Sequence, residues 1–579
     1  MQRLSSPKQT WPAAGLLLLL LLLLAGPGAR AQTPAWQSAM ALSQTSGSTS
    51  LVRALTSDAG GSIYLTGAFT GTVTFGSATL TSAGGKDVFI AKWDLANTRF
   101  VWAQRAGGTS DDEAFAVAVA GGNIYLTGAF NSDTALFGTT TLTNNSPGAN
   151  QADVFVAKLT DVGSTAGFVW GQRAGGTGSE LALSMAVRGA NVYIAGQFNS
   201  IAATFGAQVL PNAGNSLSTD AFVAKLIDAG TTASFAWTQR AGGADNDRGQ
   251  FLDVAGTSVY VGGYFNGTAA DFGSTLLSSA GQTDAFVSKL TDAGTTSSFV
   301  WTQQLGSTGF DAVSSLLVNG NTLYVGGTFS NTVRFGGTTL NAVGATDAFV
   351  TKLIDAGATS AFVWAASAGG TGTEGVSALA LQGSSLLVAG LFSSPSLPFG
   401  GTTLLNNSAG STNDIFIAKL ADAGSTSHFE WAAQHASTQN YDYATSLVVR
   451  GTTVYAAGYV NPPAAFGSFT ISSPANNLVG FLASLTDPTL TATTAARDSF
   501  AFALAPNPAH ASASLTLPAV PGATTATLTL LDALGRAVRT RPATPGTRTD
   551  FDLSGLAPGL YALRATAGAA TATQRLVVE

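Results

Sequence analysis

The sequence predicts an all-β protein in which seven similar units form a β-propeller, followed by a small C-terminal β-sandwich. Three observations predict this. Tryptophans recur every 63 to 68 residues, a period typical of repeat architectures. Each period contains four strand-like segments separated by Gly-rich turns, as in propeller blades. The period stops near residue 487, where a different strand pattern begins. The seven tryptophans are Trp36, Trp102, Trp170, Trp237, Trp301, Trp364 and Trp431.

Composition excludes several functional classes. Only 10% of the 579 residues are charged, against about 25% in an ordinary domain, and the net charge is −6. Lys and Arg form no cluster, so a nucleic-acid partner is not expected. The chain has no cysteine, which excludes disulfides and thiolate chemistry.

The N-terminus predicts export through a signal peptide over residues 1–31. Arg3 and Lys8 precede nine consecutive leucines at 16–24, and Ala29-Arg30-Ala31 supplies a small-x-small cleavage site. The alternative is an uncleaved membrane anchor, but the apolar block is shorter than the roughly 20 residues that span a bilayer. No other segment is long and apolar enough, so the mature chain is expected to lack a transmembrane segment.

The repeat unit is clearest in its second complete copy. Strands are predicted at 115–120, 123–128, 153–158 and 168–172, with a polar stretch containing Phe137-Gly138 between the second and third. The third predicted strand carries apolar side chains on both faces, since Val154 and Val156 point to one side of the sheet and Phe155 to the other. A blade of this kind must bury both faces against its neighbours, so the ring is the stable unit.

The phase of the repeats predicts how the ring closes. The first period begins with only a fourth-strand sequence at 35–41, and the last ends near residue 485 after three strands. The N-terminal strand is therefore predicted to complete the last of seven blades, over 32–487. In that last repeat the D-x-F-x-x-K pattern becomes Val479 to Ser484, which we attribute to a blade built from two chain ends.

At these positions the chain resembles a known repeat family. The pattern G-x-x-Y-x-x-G-x-F, then D-A-F-V-x-K-L, then F-x-W-x-x-x-x-G-G is similar to the secreted SBBP-type β-propeller repeat of bacteria, over about 32–488. The resemblance implies a secreted propeller. It implies no catalytic residues.

A Thr- and Ala-rich linker is predicted at 488–499, and a β-sandwich at 500–579. This segment resembles the type A C-terminal sorting domain of the type IX secretion system. The resemblance implies recognition by that machinery, passage across the outer membrane, and release or attachment at the cell surface. A carbohydrate-binding sandwich is the alternative. The matching motif residues are Pro506, Asn507, Pro508, Gly535, Arg536, Gly559 and Tyr561.

An acid recurs ten or eleven residues after most of the tryptophans and predicts a ring at one mouth of the propeller channel. Such a ring could bind a glycan or a cation, Ca²⁺ being the one cofactor considered. The alternative is that each carboxylate accepts backbone N–H bonds in its own turn. The six acids are Asp112, Glu180, Asp247, Asp311, Glu374 and Asp442.

Other recurring polar residues are interpreted as structural. An aspartate stands five residues before a lysine in six repeats, from Asp87 and Lys92 to Asp414 and Lys419. The odd offset places the two on opposite faces of a strand, so pairing between blades is expected. No metal site is predicted, because histidines are few (His428, His435 and His510) and zinc needs three or four ligands.

These patterns predict a secreted or cell-surface propeller that acts as a binding or scaffold module for an extracellular glycan, polymer or protein. No catalytic residue is assigned, and the protein is not expected to be an enzyme. The alternative is a polysaccharide-active enzyme that uses channel-mouth carboxylates such as Glu180 and Glu374. Hydrolysis would require two unlike carboxylates at a defined separation.

Overall fold

The structure is a computed structural model that describes residues 34–406, 412–437, 439, 442–473, 477–490, 502, 504–518, 525–532, 536–567 and 570–579. Every helix or strand in these ranges is a β-strand. The chain divides into two compact units, Met1–Ala492 and Thr493–Glu579. The predicted signal peptide lies outside the described residues. Within them, no helix is long and apolar enough to cross a membrane.

The first unit begins with β1 (Ala35–Ala41) and β2 (Ser43–Gln44) and then repeats one order of strands. Each repeat has two long strands, a short two-stranded hairpin, and two more long strands. The last repeat is shorter by one long strand.

The first three repeats comprise β3 (Thr49–Ser57), β4 (Ser62–Thr70), β5 (Thr72–Phe75), β6 (Ala78–Thr81), β7 (Asp87–Asp94) and β8 (Arg99–Ala106); β9 (Asp112–Ala120), β10 (Asn123–Phe130), β11 (Thr134–Phe137), β12 (Thr140–Thr143), β13 (Asp153–Asp161) and β14 (Ala166–Gly175); and β15 (Glu180–Arg188), β16 (Asn191–Phe198), β17 (Ala202–Phe205), β18 (Gln208–Pro211), β19 (Asp220–Asp228) and β20 (Ala233–Ala241).

The next three comprise β21 (Arg248–Ala255), β22 (Ser258–Phe265), β23 (Ala270–Phe272), β24 (Thr275–Leu277), β25 (Asp284–Asp292) and β26 (Ser297–Leu305); β27 (Ala312–Asn319), β28 (Thr322–Phe329), β29 (Thr332–Phe335), β30 (Thr338–Asn341), β31 (Asp347–Asp355) and β32 (Ser360–Ala368); and β33 (Glu374–Gln382), β34 (Ser385–Phe392), β35 (Ser396–Phe399), β36 (Thr402–Leu405), β37 (Asp414–Asp422) and β38 (Ser427–Gln434). The short β39 (Ala436–Ser437) precedes the last repeat, β40 (Tyr443–Arg450), β41 (Thr453–Val460), β42 (Ala464–Phe466), β43 (Phe469–Ile471) and β44 (Val479–Thr486).

The long strands form seven antiparallel sheets within the described residues, six of them four-stranded. β17 of the third repeat pairs with β14 of the second, so β17 and β18 extend the sheet of the second repeat to six strands. Sheets 1 to 6 each take the four long strands of one repeat in sequence order, from β3-β4-β7-β8 to β33-β34-β37-β38. Sheet 7 has the order β40-β41-β44-β1, so its outermost strand comes from the start of the chain. In that pairing Ala35 lies opposite Thr486 and Ala41 opposite Phe481.

Neighbouring sheets pack face to face and share their buried side chains. Tyr64, Ile90 and Trp102 of sheet 1 form one apolar cluster with Ile124 and Phe155 of sheet 2. The first strands of successive sheets contact one another in order from β3 to β40, and β40 also contacts β3. Val154 and Phe155 are both fully buried, as expected for strands covered on both faces.

The sequence did not predict the short hairpins, because each strand is only three or four residues long. In the second repeat, Phe137 lies at the hairpin end with its ring 4.7 Å from Phe155 and 5.7 Å from Phe168. Gly138 opens the two-residue turn with φ +63°, a conformation that glycine adopts without steric cost. The recurring Phe-Gly therefore marks a hairpin that covers the apolar side chains of its own sheet.

The second unit contains two antiparallel sheets. One has the order β45-β46-β49 and the other β48-β47-β50-β51, and buried residues of both form one cluster that includes Leu515, Leu528 and Leu563. The strands are β45 (Leu504–Ala505), β46 (Ser512–Thr516), β47 (Ala526–Leu531), β48 (Ala537–Ala543), β49 (Arg548–Asp552), β50 (Gly559–Ala567) and β51 (Ala570–Val578).

Candidate functional site

The interface between sheets 3 and 4 is held by one aspartate that accepts three donors. Asp292, the last residue of β25, accepts hydrogen bonds from Tyr193 Oη at 2.7 Å, Lys225 Nζ at 2.7 Å and Trp237 Nε1 at 2.9 Å. The three donors come from three strands of sheet 3. Burial alone would raise the pKa of Asp292, but the bonds from Lys225, Tyr193 and Trp237 outweigh it and lower the pKa below its ordinary value.

We call the residues in this position the latch aspartates. Five interfaces contain the complete set of tyrosine, lysine and tryptophan donors, at Asp161, Asp228, Asp292, Asp355 and Asp422. At the sixth interface Asp487 accepts from Trp431 at 2.8 Å and lies 3.4 Å from Lys419.

The interface between sheets 7 and 1 differs. Leu95 occupies the position of a latch aspartate, since its N–H bonds to the Gly61 carbonyl as that of Asp161 bonds to the Gly122 carbonyl. The preceding residue, Asp94, accepts hydrogen bonds within the described chain from Ala96 and Asn97 of its own turn. Ser484 stands where other sheets have the lysine, and its hydroxyl lies 2.7 Å from that of Ser38.

The lysines thus pair between sheets, as the sequence indicated, but not with the aspartates five residues before them. Their partners stand at the end of the next sheet's third strand, where a recurring Asp-x-Gly begins the turn, as at Asp292 to Gly294. Sequence reasoning did not single out these aspartates. The repeated Asp-x-Gly was the available signal.

The six predicted channel-mouth acids lie inside the protein instead of on an exposed mouth. Each is at most 1% exposed, and each accepts at least one backbone N–H bond. Glu180, for example, accepts from the backbone N–H groups of Gly176 at 2.8 Å and Ser200 at 3.2 Å. This arrangement is the backbone-bonded alternative, and it leaves none of the six carboxylates on the surface. The acids are Asp112, Glu180, Asp247, Asp311, Glu374 and Asp442.

In sheets 1 to 6, the aspartate that begins the third strand lies close to one of these acids. A methyl group added at Gly175 would lie 2.1 Å from Asp153 Oδ1 and 2.7 Å from Glu180 Oε2, so the glycine lets both carboxylates approach. Asp153 Oδ2 accepts bonds from Arg173 and the Asn145 N–H, whereas its buried Oδ1 has no partner in the described chain. Burial, with a smaller contribution from Asp153, raises the pKa of Glu180 to about 7.

We expect Glu180→Gln to remove a pH-dependent loss of stability. Folding raises the pKa of Glu180 from 4.5 to about 7, so its stabilising contribution is complete below pH 4.5 and declines as the pH rises toward 7. The melting temperature of the variant relative to the native protein should therefore be higher at pH 8 than at pH 5. The measurement is thermal unfolding at both pH values. The exposed Asp245→Asn is the control, and an equal difference at both pH values would contradict the prediction.

The second unit brings the two ends of the sorting motif together. Asn507 donates from Nδ2 to the Arg575 carbonyl at 2.7 Å and accepts the Val577 N–H at 2.9 Å. Pro506 and Pro508 flank this residue on the segment between β45 and β46. Its neighbour Ala509 accepts the Glu579 N–H at 2.9 Å.

The remaining motif residues lie at turns. Arg536 donates to Asp532 at 2.8 Å, and its side chain is 74% exposed. Gly559 begins β50, and the Tyr561 hydroxyl donates to the Ala557 carbonyl at 2.9 Å. Gly535 lies outside the described residues. The Arg536 side chain is therefore exposed where a partner could contact it, whereas the Asn507 side chain binds the backbone of the C-terminal strand β51.

The fold and these motif contacts define an all-β repeat protein that carries a sorting domain. Residues 503–579 match the family described as the secretion system C-terminal sorting domain. The protein is therefore a substrate of the type IX secretion system, exported to the cell surface or the extracellular space.

The chain also has more distant similarities. Over 229 residues the chain is 28% identical to the regulatory protein FlaEY of Caulobacter vibrioides, covering 39% of this chain and 23% of FlaEY. The chain thus spans about a quarter of that relative's length.

Two solved structures of Trypanosoma rangeli sialidase, both 10% identical in sequence, are also similar. The alignment with the sialic acid complex covers 92% of this chain and 89% of the sialidase chain, with a TM-score of 0.30. The alignment with the 2,3-difluorosialic acid complex covers 83% of this chain and 86% of the sialidase chain, with a TM-score of 0.31. TM-scores this low support no argument about fold or activity.

Proposed function

We propose that residues 32–487 form a seven-bladed β-propeller, closed by β1, that binds an extracellular ligand or serves as a scaffold outside the cell. The order of contacts from β3 to β40 and back to β3 supports the ring. The pairing of β1 with β44 supports closure within sheet 7. Residues 1–31 would act as the signal peptide, and 500–579, joined by the linker 488–499, as the part that the type IX machinery recognises.

The main observation that supports a binding role is that loop lengths vary most at one edge of the sheets. The loops between the short hairpin and the third long strand range from five to nine residues, as 82–86, 144–152, 212–219, 278–283 and 342–346 show. We call this the variable edge. At the opposite edge, the turn between the third and fourth strands has four residues in the first six repeats, including 162–165 and 229–232.

The variable edge also exposes large apolar side chains. Leu217 is 90% exposed in the loop 212–219, and Val343 is 68% exposed in the loop 342–346. Phe310, between sheets 4 and 5 at the same edge, is 41% exposed. Loops on a rigid scaffold commonly carry binding residues, and exposed apolar groups provide contact area for a partner.

A glycan array combined with a reducing-sugar assay on the same protein tests this role. We expect binding without release of reducing ends, and weaker binding by Leu217→Ser. The matched control is Val162→Ser, which removes a 69% exposed apolar side chain from the opposite edge. An equal loss in both variants, or no glycan bound, would count against a glycan site at the variable edge. Release of reducing ends would favour the alternative of a polysaccharide-active enzyme.

A further inference from the structure

Among the described residues, one interface contains three buried histidine and aspartate side chains close enough to share a metal ion, a grouping found at no other interface. Asp414 begins β37 in sheet 6, Asp442 immediately precedes β40 in sheet 7, and His435 follows β38. One potential ligand atom from each lies within 4.8 Å of the others, and all three residues are at most 1% exposed. His435 Nε2 lies 3.8 Å from Asp442 Oδ2.

Four buried polar atoms of this cluster lack hydrogen-bond partners in the described part of the chain. They are both ring nitrogens of His435, Asp414 Oδ2 and Asp442 Oδ2. The other carboxylate oxygens are bonded, since Asp414 Oδ1 accepts the Ser437 N–H at 3.3 Å and Asp442 Oδ1 accepts the Asn461 N–H at 2.7 Å. Leaving buried polar atoms without partners costs free energy, so this arrangement calls for a ligand.

The histidine is a departure from the repeat. The residue four places after the tryptophan is a buried alanine or leucine in the other sheets whose fourth strand follows in sequence order, namely Ala106, Ala174, Ala241, Leu305 and Ala368. His435 stands in this apolar position next to sheet 7. Its ring centroid lies 4.9 Å from that of Phe466. Packing at this position does not require a histidine, because alanine fills it elsewhere.

The positive partner of the first aspartate is also missing here. Arg105, Arg173 and Arg240 pair with the aspartates equivalent to Asp414 in sheets 1 to 3. In sheet 6 the corresponding residue is Gln434, whose side chain exchanges hydrogen bonds with the Leu405 backbone. Within the described chain, Asp414 therefore lacks the cation that pairs with its counterparts in sheets 1 to 3. Sheets 4 and 5 lack it as well, since Gln304 and Ser367 stand in place of the arginine.

We propose that Asp414, His435 and Asp442 bind one divalent transition-metal ion, such as Zn²⁺, between sheets 6 and 7. Two carboxylate oxygens and one imidazole nitrogen form a ligand set suited to zinc and its neighbours, whereas Ca²⁺ prefers oxygen ligands alone. The ion would neutralise the two carboxylates and link sheet 6, whose four long strands come from one repeat, to sheet 7, which includes β1. The sequence analysis did not indicate this site, although His435 departs from the repeat, because the meeting of His435 with Asp414 and Asp442 depends on how sheet 6 packs on sheet 7.

The test uses the secreted chain, dialysed against EDTA and then titrated with Zn²⁺ alone. We expect about one equivalent of tightly bound zinc and a higher melting temperature in its presence. His435→Ala, which restores the residue found in four other sheets, should fold normally by circular dichroism. It should bind zinc at least about tenfold more weakly and show no zinc-dependent rise in melting temperature.

The matched control is His428→Ala, which removes an exposed histidine from the same strand and should bind zinc like the native chain. Three results would overturn the proposal: no stoichiometric zinc in the native chain, undiminished binding in His435→Ala, or displacement of zinc by an equal concentration of Ca²⁺. The first would mean that His435 and Asp442 form a metal-free pair.

Discussion

Replacing Asp292 with alanine is expected to reduce the free energy of unfolding by about 3–5 kcal/mol, because it leaves one member of a buried ion pair without its partner. Lys225 has a side chain only 4% exposed, and without Asp292 it would keep its bond to the Gly294 carbonyl at 3.0 Å. Tyr193 and Trp237 would lose their acceptor at the same time. The change removes three of the polar contacts that join sheet 3 to sheet 4, one from each of three strands.

Chemical denaturation followed by tryptophan fluorescence measures this effect. The control is Asp94→Ala, since Asp94 ends the third long strand of sheet 1 one residue before the latch position and accepts bonds only from its own turn within the described chain. We expect a large shift of the unfolding midpoint for Asp292→Ala and a small one for Asp94→Ala. Equal shifts would show that the bonds from Tyr193, Lys225 and Trp237 to Asp292 add little to the stability that an aspartate provides within its own turn.

Removing β1 is expected to make the first unit sensitive to protease. Without Ala35–Ala41, β44 would become an edge strand with unpaired backbone groups, an arrangement that favours local opening and association. Trp36 would no longer pack 5.0 Å from Phe466 or donate to the Gln434 carbonyl at 3.2 Å. We expect cleavage by thermolysin to accelerate about tenfold or more, with the first cuts in the last repeat.

The experiment compares a chain that begins at Leu42 with one that begins at Gln32. Gln37→Ala controls for a change within β1, because Gln37 is exposed and its side chain bonds, among the described residues, only to the Ala35 carbonyl. This variant should resist protease as well as the longer chain does. If the shortened chain is equally resistant, β1 is not needed to complete sheet 7 and the closed propeller is contradicted.

The sequence by itself determined the elements that depend on local pattern. The tryptophan period located the fourth long strands, and alternation of apolar residues located the third strands, such as β13. The family resemblance of residues 506–561 indicated the export route. These features are readable because strand formation depends on residues a few positions apart. The start of the first strand was placed less accurately, because β9 begins at Asp112 and not at Phe115.

Only the tertiary structure decided which side chains meet between sheets. Lys225 bonds to an aspartate 67 residues away, and Trp237 to the same residue 55 positions away. The burial of Glu180 and the meeting of His435 with Asp414 and Asp442 also depend on how one sheet packs on the next. A repeat pattern shows that such positions recur, but the partner of each is set by the packing of neighbouring sheets, which local periodicity does not encode.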